Sequence, residues 1–485
     1  MVIKSVRGEE IIMQKTKMIF TLGPASSTDE IVTKLIKVGM SASRHNFSHG
    51  DHDEHKERME RTKKLSQKFN KPVAIILDTK GPEIRTHNFK DGKKYELKKV
   101  NKFTITCDNE IIGDETCCSV TCKDLWKDVK KGNTILIDDG LIALEVQSTH
   151  DGKIECVIKN DGPVSDHKGV NVPGVSVSLP AITDKDKSDL IFGAQQKVDI
   201  VTASFIRKAD DVIQMRKILE ENGGKGIQIY PKIENVQGVK NIDEIIEVSD
   251  GIMVARGDMG VEIPIEKVPA IQKMIISKCN EVGKPVITAT QMLDSMIRNP
   301  RPTRAEATDI TNAILDGTDC IMLSGESANG SYPVEAATIM SKIAQQAEKL
   351  MDHEAILEKF KKCHSKDVPS AMSLSACTAA SELHAAAIIA ITQTGMTAKR
   401  ISRFRPECPI IAVTPNDSVA RKLALTWGVF PIVAEAKNNT DELIAEAVKT
   451  AKEAGYVKKG DLVVIAAGVP AYTSGSTNLL KVQTI

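Results

Sequence analysis

Aromatic residues are scarce in this sequence, 4% of 485 residues, while hydrophobic residues as a whole reach 41%. The core must therefore be aliphatic, built from Ile, Val, Leu and Ala, a composition typical of α/β folds whose parallel strands are buried on both faces. An excess of either charge is also missing: 65 Lys and Arg stand against 64 Asp and Glu. No global field draws such a chain to nucleic acid or to an anionic membrane, and neither is expected as a partner. No apolar run approaches the roughly 18 residues of a membrane span, and the opening MVIKSVRGEEIIMQK scatters charges where a signal peptide would be apolar. A soluble, cytoplasmic protein is the expectation. Ten cysteines lack the density of a disulfide scaffold, which points to reduced thiols. Cys107, Cys117, Cys118, Cys122 and Cys156 lack the paired spacing of a structural zinc site and read as small buried hydrophobes. Internal repeats, low-complexity tracts and a Walker loop are all absent, so any nucleotide must be held some other way.

What is present is a succession of short β-branched runs between amphipathic helices. Eight of them, at 17–23, 41–47, 73–79, 199–205, 227–233, 251–257, 285–291 and 320–326, are read as strands, with helices such as 51–70 and 265–282 between most of them. Eight strand and helix units are what a closed (β/α)8 TIM barrel requires. Nearly every run ends in polar residues, and barrel enzymes keep their chemistry at that edge. Residues 87–180 interrupt the pattern with short strands and Gly, Asp and Asn turns, which predicts an inserted all-β lid domain flanked by the stiff Pro82 and Pro180. Residues 1–86 and 181–350 then form the barrel, and 351–485 a C-terminal open α/β domain.

The polar strand ends carry the chemistry. YPKIEN and VARGDMG place Lys232, Glu234 and Asp258 at two adjacent strand ends, a lysine with two carboxylates. That set suits Mg²⁺, with the ammonium free to neutralise a migrating phosphoryl group. Arg256, Gly257 and Asp258 precede a Gly-rich turn whose backbone amides could hold a carboxylate, or form a plain turn. Asn46, Ser48, Asp78 and Thr79 are oxygen donors suited to a monovalent cation, and Arg44 and Arg85 in the same segments can clamp phosphate bidentately. Capping by Ser48 of a helix with Asp51, Asp53 and Glu54 in its first turn is compatible with that role. His45, His49, His52 and His55 do not read as a zinc site, because they cross from strand to helix and a solvated helix start accounts for His52 and His55. In the last domain, Thr392, Thr394, Gly395 and Thr397 offer hydroxyls and amides that could wrap a phosphate, or make an ordinary turn.

Taken together, TKMIFTLGPASS, NFSHG, LDTKGPEIRT, PKIEN, MVARGDMGVEIP, TATQMLDSMI, RPTRAEATDI and IMLSGESANGSYPVEA resemble the pyruvate kinase family over essentially the whole chain. HKGVNVPG and ISRFRPECPIIAVTPN extend the match, with motifs in the same order. The resemblance implies phosphoryl transfer from phosphoenolpyruvate to ADP, yielding pyruvate and ATP, with Mg²⁺ (or Mn²⁺) and K⁺ as cofactors. It implies that Lys232 stabilises the transferring group, that Glu234 and Asp258 bind the divalent metal, and that Thr290 sits beside the enolpyruvate carboxylate. Arg44, His49, Arg85 and Lys168 match phosphate and nucleotide contacts. Asn46 belongs with that nucleotide set and, with Ser48, Asp78 and Thr79, matches the K⁺ ligands. Ser324 and Glu326 match a polar pair that relays a proton. The Thr392–Thr397 loop resembles the family's effector loop, implying a phosphorylated effector, and a homotetramer is the family's habit. Glu83 follows the form of the family that needs K⁺, where other members carry Lys. His45 departs from the aliphatic residue usual there, and Ser41, Ala42 and Ser43 are small and partly polar for that strand. Two other readings stand beside this one. Barrel lyases or aldolases acting on pyruvate or its enol also use Mg²⁺ at strand ends, but lack the inserted β segment. A non-catalytic metabolite sensor predicts loss of the lysine and metal ligands, which are present.

Overall fold

The computed structural model describes residues 2–4, 10–362, 366–437, 439–470 and 477–485. Eight parallel strands close into a barrel: β1 Lys17–Thr21, β2 Met40–Asn46, β3 Ala74–Asp78, β4 Ile200–Ala203, β5 Gln228–Ile233, β6 Ile252–Ala255, β7 Val286–Ala289 and β8 Cys320–Leu323. They are the eight expected runs, with ends displaced by a few residues.

Strand parity makes the barrel's mouth polar. Ile19, Ala42, Ile76, Ile200 and Tyr230 pack together with Met253 and Ile287 in one buried cluster. Side chains alternate between the two faces of a strand, so two residues further on, the same face of β1 to β5 carries Thr21, Arg44, Asp78, Thr202 and Lys232. On β6 and β7 the equivalent positions are the small Ala255 and Ala289. One inward line of residues is thus apolar at the waist and charged at the C-terminal edge.

Between β3 and β4 the chain builds a seven-stranded sheet in the order Ile84–Arg85, Gly169–Asn171, Thr134–Ile137, Ile142–His150, Lys153–Ile158, Lys102–Thr106, Cys117–Ser119. Alternation organises it: in Lys153–Ile158 the side chains of Ile154, Cys156 and Ile158 are buried. Cys107, Cys118, Cys122 and Cys156 lie in its core, and Cys117 is half-buried. A third sheet has β9 Ala387–Ile391, β10 Ile410–Thr414, β11 Val429–Val433 and β12 Leu462–Gly468 in parallel. Strand β13 Thr477–Thr484 runs antiparallel to β12 at the edge, in the order β11-β10-β9-β12-β13.

That third unit docks on the barrel's floor through a repeated device. Asp199, Asp250 and Asp319 stand just before β4, β6 and β8, and each accepts the backbone N–H of a residue on the preceding strand: Ile75, Ile229 and Val286, all at 3.0 Å. Two of these carboxylates also receive an arginine from the C-terminal unit. Arg421 Nε lies 3.0 Å from Asp199, and Arg405 Nη1 lies 2.9 Å from Asp319. Arg405 further donates to Gly317 O at 2.7 Å and Asn280 Oδ1 at 2.9 Å, and its guanidinium covers the Trp427 ring. Beside it Lys17 donates to Val429 O at 2.6 Å, and burial drives its pKa down to about 7.

Both Arg405 and Asp319 side chains are almost wholly buried, so removing one partner strands the other's charge. Arg405→Leu should lower stability by about 3–5 kcal/mol, read as a lower urea midpoint. Adding Asp319→Asn should restore part of the loss, because the uncompensated charge is removed with it. An unchanged midpoint for Arg405→Leu would mean that backbone donors alone hold Asp319.

Candidate active site

The inward line at the barrel mouth brings four charges into contact, three of them, Arg44, Asp78 and Glu234, buried. Asp78, fully buried on β3, receives Arg44 Nε at 2.5 Å on one oxygen, and its other oxygen lies 3.3 Å from Lys232 Nζ. Lys232 also lies 2.9 Å from Glu234 Oε1 and donates to Ser204 Oγ at 2.8 Å. Arg44 Nη1 donates to Thr21 Oγ1 at 3.0 Å. Burial works against the Lys232 charge, but Asp78, Glu234 and Asp258 outweigh it and raise its pKa. Arg44 and Lys232 likewise overcome the effect of burial on Asp78 and hold its carboxyl below the usual range. Glu234 is different: burial dominates and pushes it up to about 7, with the nearby Asp258 adding to the effect. Its Oε2 accepts the Phe205 N–H at 2.6 Å, while Oε1 touches Lys232 outside hydrogen-bond geometry. The expected convergence of Lys232, Glu234 and Asp258 is therefore present, and Arg44 and Asp78 join it.

The remaining oxygen donors sit close by. Thr79 is tied to β4: its Oγ1 accepts from Ser204 N at 3.1 Å and its carbonyl from Ser204 Oγ at 2.5 Å. Asn46 Oδ1 accepts from Ser48 N at 3.2 Å, closing the turn after β2. Asp78 is paired with both Arg44 and Lys232. Glu83 is paired as well, with Arg85 Nη2 at 2.8 Å, and Arg85 Nη1 donates to His167 O at 2.8 Å. Lys168 Nζ rests 3.0 Å from Asp138.

Two expectations around this turn need correction. Ser48 does not cap the following helix, His52–Lys68; Asp51 does, accepting from Glu54 N at 2.9 Å. His55 is buried rather than solvated. Its ring stacks on Phe47 with centroids 4.0 Å apart and its Nε2 donates to His49 O at 2.9 Å. His52 pairs with the buried Asp189 at 2.7 Å and stacks on Phe192. His45, the departure on β2, is buried with Nε2 3.0 Å from Ser43 Oγ, so the polar residue and the unusual histidine on this strand accommodate each other. His49 is exposed.

After β6 the predicted Gly-rich turn is a short helix, Arg256–Glu262, with Asp258 in its first turn. Gly257 N–H is already engaged, donating to Thr290 Oγ1 at 2.7 Å. Arg256 points away from Lys232 and Glu234, forming an ion pair with Asp309 at 2.7 Å. Past β8, Glu326 is buried and accepts from Leu293 N at 3.0 Å and Ser324 N at 2.7 Å, and burial raises its pKa. Ser324 Oγ is buried with no hydrogen-bond partner.

A cleft of about 590 Å³ opens between the inserted sheet and the barrel, with Arg85, Asp139, Lys168, Phe205, Asp258 and Glu262 among its lining. Asn171 Nδ2 donates to Glu262 Oε1 at 2.9 Å across it. Burial raises the pKa values of Asp139 and Glu262, and Asp258 pushes both further. Asp139 was legible only as part of a DDG turn, and neither Thr21 nor Asp309 carries a local signal of its place here. In the C-terminal unit, Thr392 Oγ1 accepts from Gly395 N at 2.9 Å, and Gly395 takes a left-handed φ of +88°. Thr397 shares a 2.8 Å hydrogen bond with Thr477, while Thr394 is exposed.

Known proteins with this arrangement are plain to see. Residues 13–337 match the family model for the pyruvate kinase barrel domain, and residues 370–483 the model for the pyruvate kinase alpha/beta domain. Pyruvate kinase of Clostridium acetobutylicum is 65% identical over 473 residues, covering 98% of this chain and all of that protein. That of Clostridium perfringens is 55% identical over 475 residues, with 98% and 100% covered. Among solved structures, a pyruvate kinase from Cryptosporidium parvum superposes with a TM-score of 0.92 at 42% identity, covering 97% of this chain and 96% of its own. With barrel, inserted sheet and C-terminal unit in one order and the strand-end charges brought together, the chain belongs to the pyruvate kinase family.

Proposed function

We propose that the buried charge cluster at the barrel mouth carries the pyruvate kinase reaction, in which phosphoenolpyruvate gives up its phosphoryl group to ADP and the enolpyruvate left behind is protonated to pyruvate. The observation that carries this reading is the Lys232 ammonium, kept charged among Asp78, Glu234 and Asp258 and fixed by Ser204. Phosphoryl transfer passes through a loose transition state that asks a protein mainly for positioning and charge neutralisation. A lysine already oriented for that task pays no reorganisation when the charge develops.

Glu234 and Asp258 fit Mg²⁺ or Mn²⁺. Two cationic groups, Arg44 and Lys232, face the three carboxylates of Asp78, Glu234 and Asp258, leaving a negative excess, and Glu234 Oε1 lacks a hydrogen-bond donor. When bound, such a cation supplies charge neutralisation and templating of substrate oxygens. Arg44, braced by Asp78 and Thr21, meets phosphate. Thr290 meets the substrate carboxylate near the carbon to be protonated, with Gly257 and Asp258 on the same side. Ser324, whose hydroxyl has no protein partner, and Glu326, whose carboxyl burial favours in its protonated form, relay the proton. His49, Arg85, Lys168 and Asn46 receive the nucleotide, for which Arg85 and Lys168 exchange Glu83 and Asp138 for phosphate. Asn46, Ser48, Asp78 and Thr79 would hold K⁺, adding monovalent positive charge beside the transferring phosphoryl group. We read residues 87–180 as a lid and 351–485 as an effector and oligomerisation domain of a cytoplasmic homotetramer.

The purified chain should release pyruvate from phosphoenolpyruvate only when ADP is present. In that coupled assay Lys232→Met should lower turnover by roughly 10²- to 10³-fold while Mg²⁺ binding survives. A variant retaining more than half the native rate would remove Lys232 from its role.

Activity should also require K⁺, tested in potassium-free buffer with a large inert cation at matched ionic strength. Glu83→Lys should restore part of the lost rate, since a tethered ammonium can stand in for the cation and Arg85 is released at the same time. Full native activity without K⁺ would falsify the assignment. In the C-terminal unit, calorimetry with sugar phosphates and AMP should detect binding that Thr394→Glu abolishes, because an added carboxylate repels phosphate. Activation by such a ligand requires that it bind the active state more tightly than the inactive one. No binding by any of them would sink the effector assignment.

A further inference from the structure

Thr290 follows β7 with a backbone φ of +69°, and Gln291 continues at +54°. A left-handed conformation is costly for a β-branched residue and persists only where the surroundings over-determine it. Here they do so largely through one side chain. Arg256 Nη2 donates to Thr290 O at 2.8 Å, and Nε to Ala289 O at 3.3 Å. The guanidinium is held in turn by Asp309, whose two oxygens lie 2.8 and 2.7 Å from Nη1. The hydroxyl of Thr290 is set from the same turn: it accepts from Gly257 N at 2.7 Å and donates to Ala289 O at 2.6 Å. Arg256, Gly257 and Asp258 are consecutive, so one helical turn carries Asp258 and fixes both the backbone and the hydroxyl of Thr290. Asp309 braces that turn from the separate helix Arg304–Leu315.

We propose that Arg256 and Asp309 form a positioning pair for Thr290, acting through its backbone and not by contact with substrate. The inference rests on the assignment of Thr290 to the reacting enolpyruvate. Guanidinium suits the task because its planar fork spans two carbonyls and a carboxylate together, whereas an ammonium is a point charge on a flexible stem. Lysine at this position should therefore be a poor replacement.

The test is a double-mutant cycle on the full chain, with Arg256→Met, Thr290→Ala and the two combined, together with Arg256→Lys and Asp309→Asn. Single Arg256 variants should lose roughly 10- to 100-fold in kcat, with the KM for phosphoenolpyruvate changing by less than about threefold. Asp309→Asn, which keeps an acceptor, should lose less. Solvent deuterium exchange into the pyruvate methyl group, followed by NMR, should slow in parallel. In the Thr290→Ala background, Arg256→Met should add little further loss, since groups acting as a unit are not additive. Losses that multiply independently would overturn the pair, as would a raised KM at unchanged kcat, the mark of a substrate ligand. If Arg256→Met does not fold, Asp309→Asn takes its place in the cycle. A native chain without ADP-dependent pyruvate release would overturn the reaction reading and this role with it, whereas an active native chain with additive losses overturns the pair alone.

Discussion

Charge taken out of water must be matched within a few ångströms, and the mouth of this barrel removes several charges from water at once. Asp78 and Glu234 have no exposed surface, and Arg44 has little. Each is tolerable only because Lys232 or another member of the cluster touches it. Remove one and the rest become uncompensated, so the charges are interdependent in stability as well as in chemistry. The same crowding sets their protonation. Asp78 is held ionised by two cations, while Glu234, facing only one cation and another acid, is pushed up to about 7. Neighbouring carboxylates are thereby suited to different tasks, one permanently paired with cations and one available to a metal or a proton.

Polar groups occur at both ends of the barrel, with an apolar waist between them. At the floor, carboxylates before β4, β6 and β8 cap neighbouring strands, and two of them also receive arginines from the C-terminal unit. Strand β8 therefore begins beside the Arg405 contact and ends beside Ser324 and Glu326. The short helix Arg256–Glu262 has an analogous double part, with Asp258 near the charge cluster and Arg256 anchored to Asp309 outside it. Side chains that bear on the proposed chemistry are thus held by contacts on both sides of the strand ends.

Much of this was legible in the sequence. β-branched runs such as AIILD and CIML can be buried on both faces only in a closed or covered parallel sheet, and eight of them separated by helices leave few alternatives. Polar residues at the ends of those runs marked the mouth, and the inward direction of Asp78 and Lys232 follows from their two-residue spacing to Ile76 and Tyr230. Less local features were not legible. His55 looks like a solvated residue of a charged helix until it is buried against Phe47, and His52, still half-exposed, until it pairs with Asp189 and stacks on Phe192. Glu83 looks free until Arg85, two residues on, folds back to it.

Sequence alone determined the fold class, the order of the three units and the identities of the charges at the strand ends, because periodicity and strand parity are properties of neighbouring residues. Tertiary structure decided which charges meet and which way the long side chains turn. Arg256 is the clearest case: it opens a segment whose backbone amides the sequence offers to a carboxylate, and nothing local tells where its side chain goes, yet its guanidinium reaches an acid 53 residues later and the backbone of Thr290. A flexible arginine with several donors takes whichever acceptors the fold brings within reach, and only packing between β6, β7 and the helix Arg304–Leu315 determines which those are.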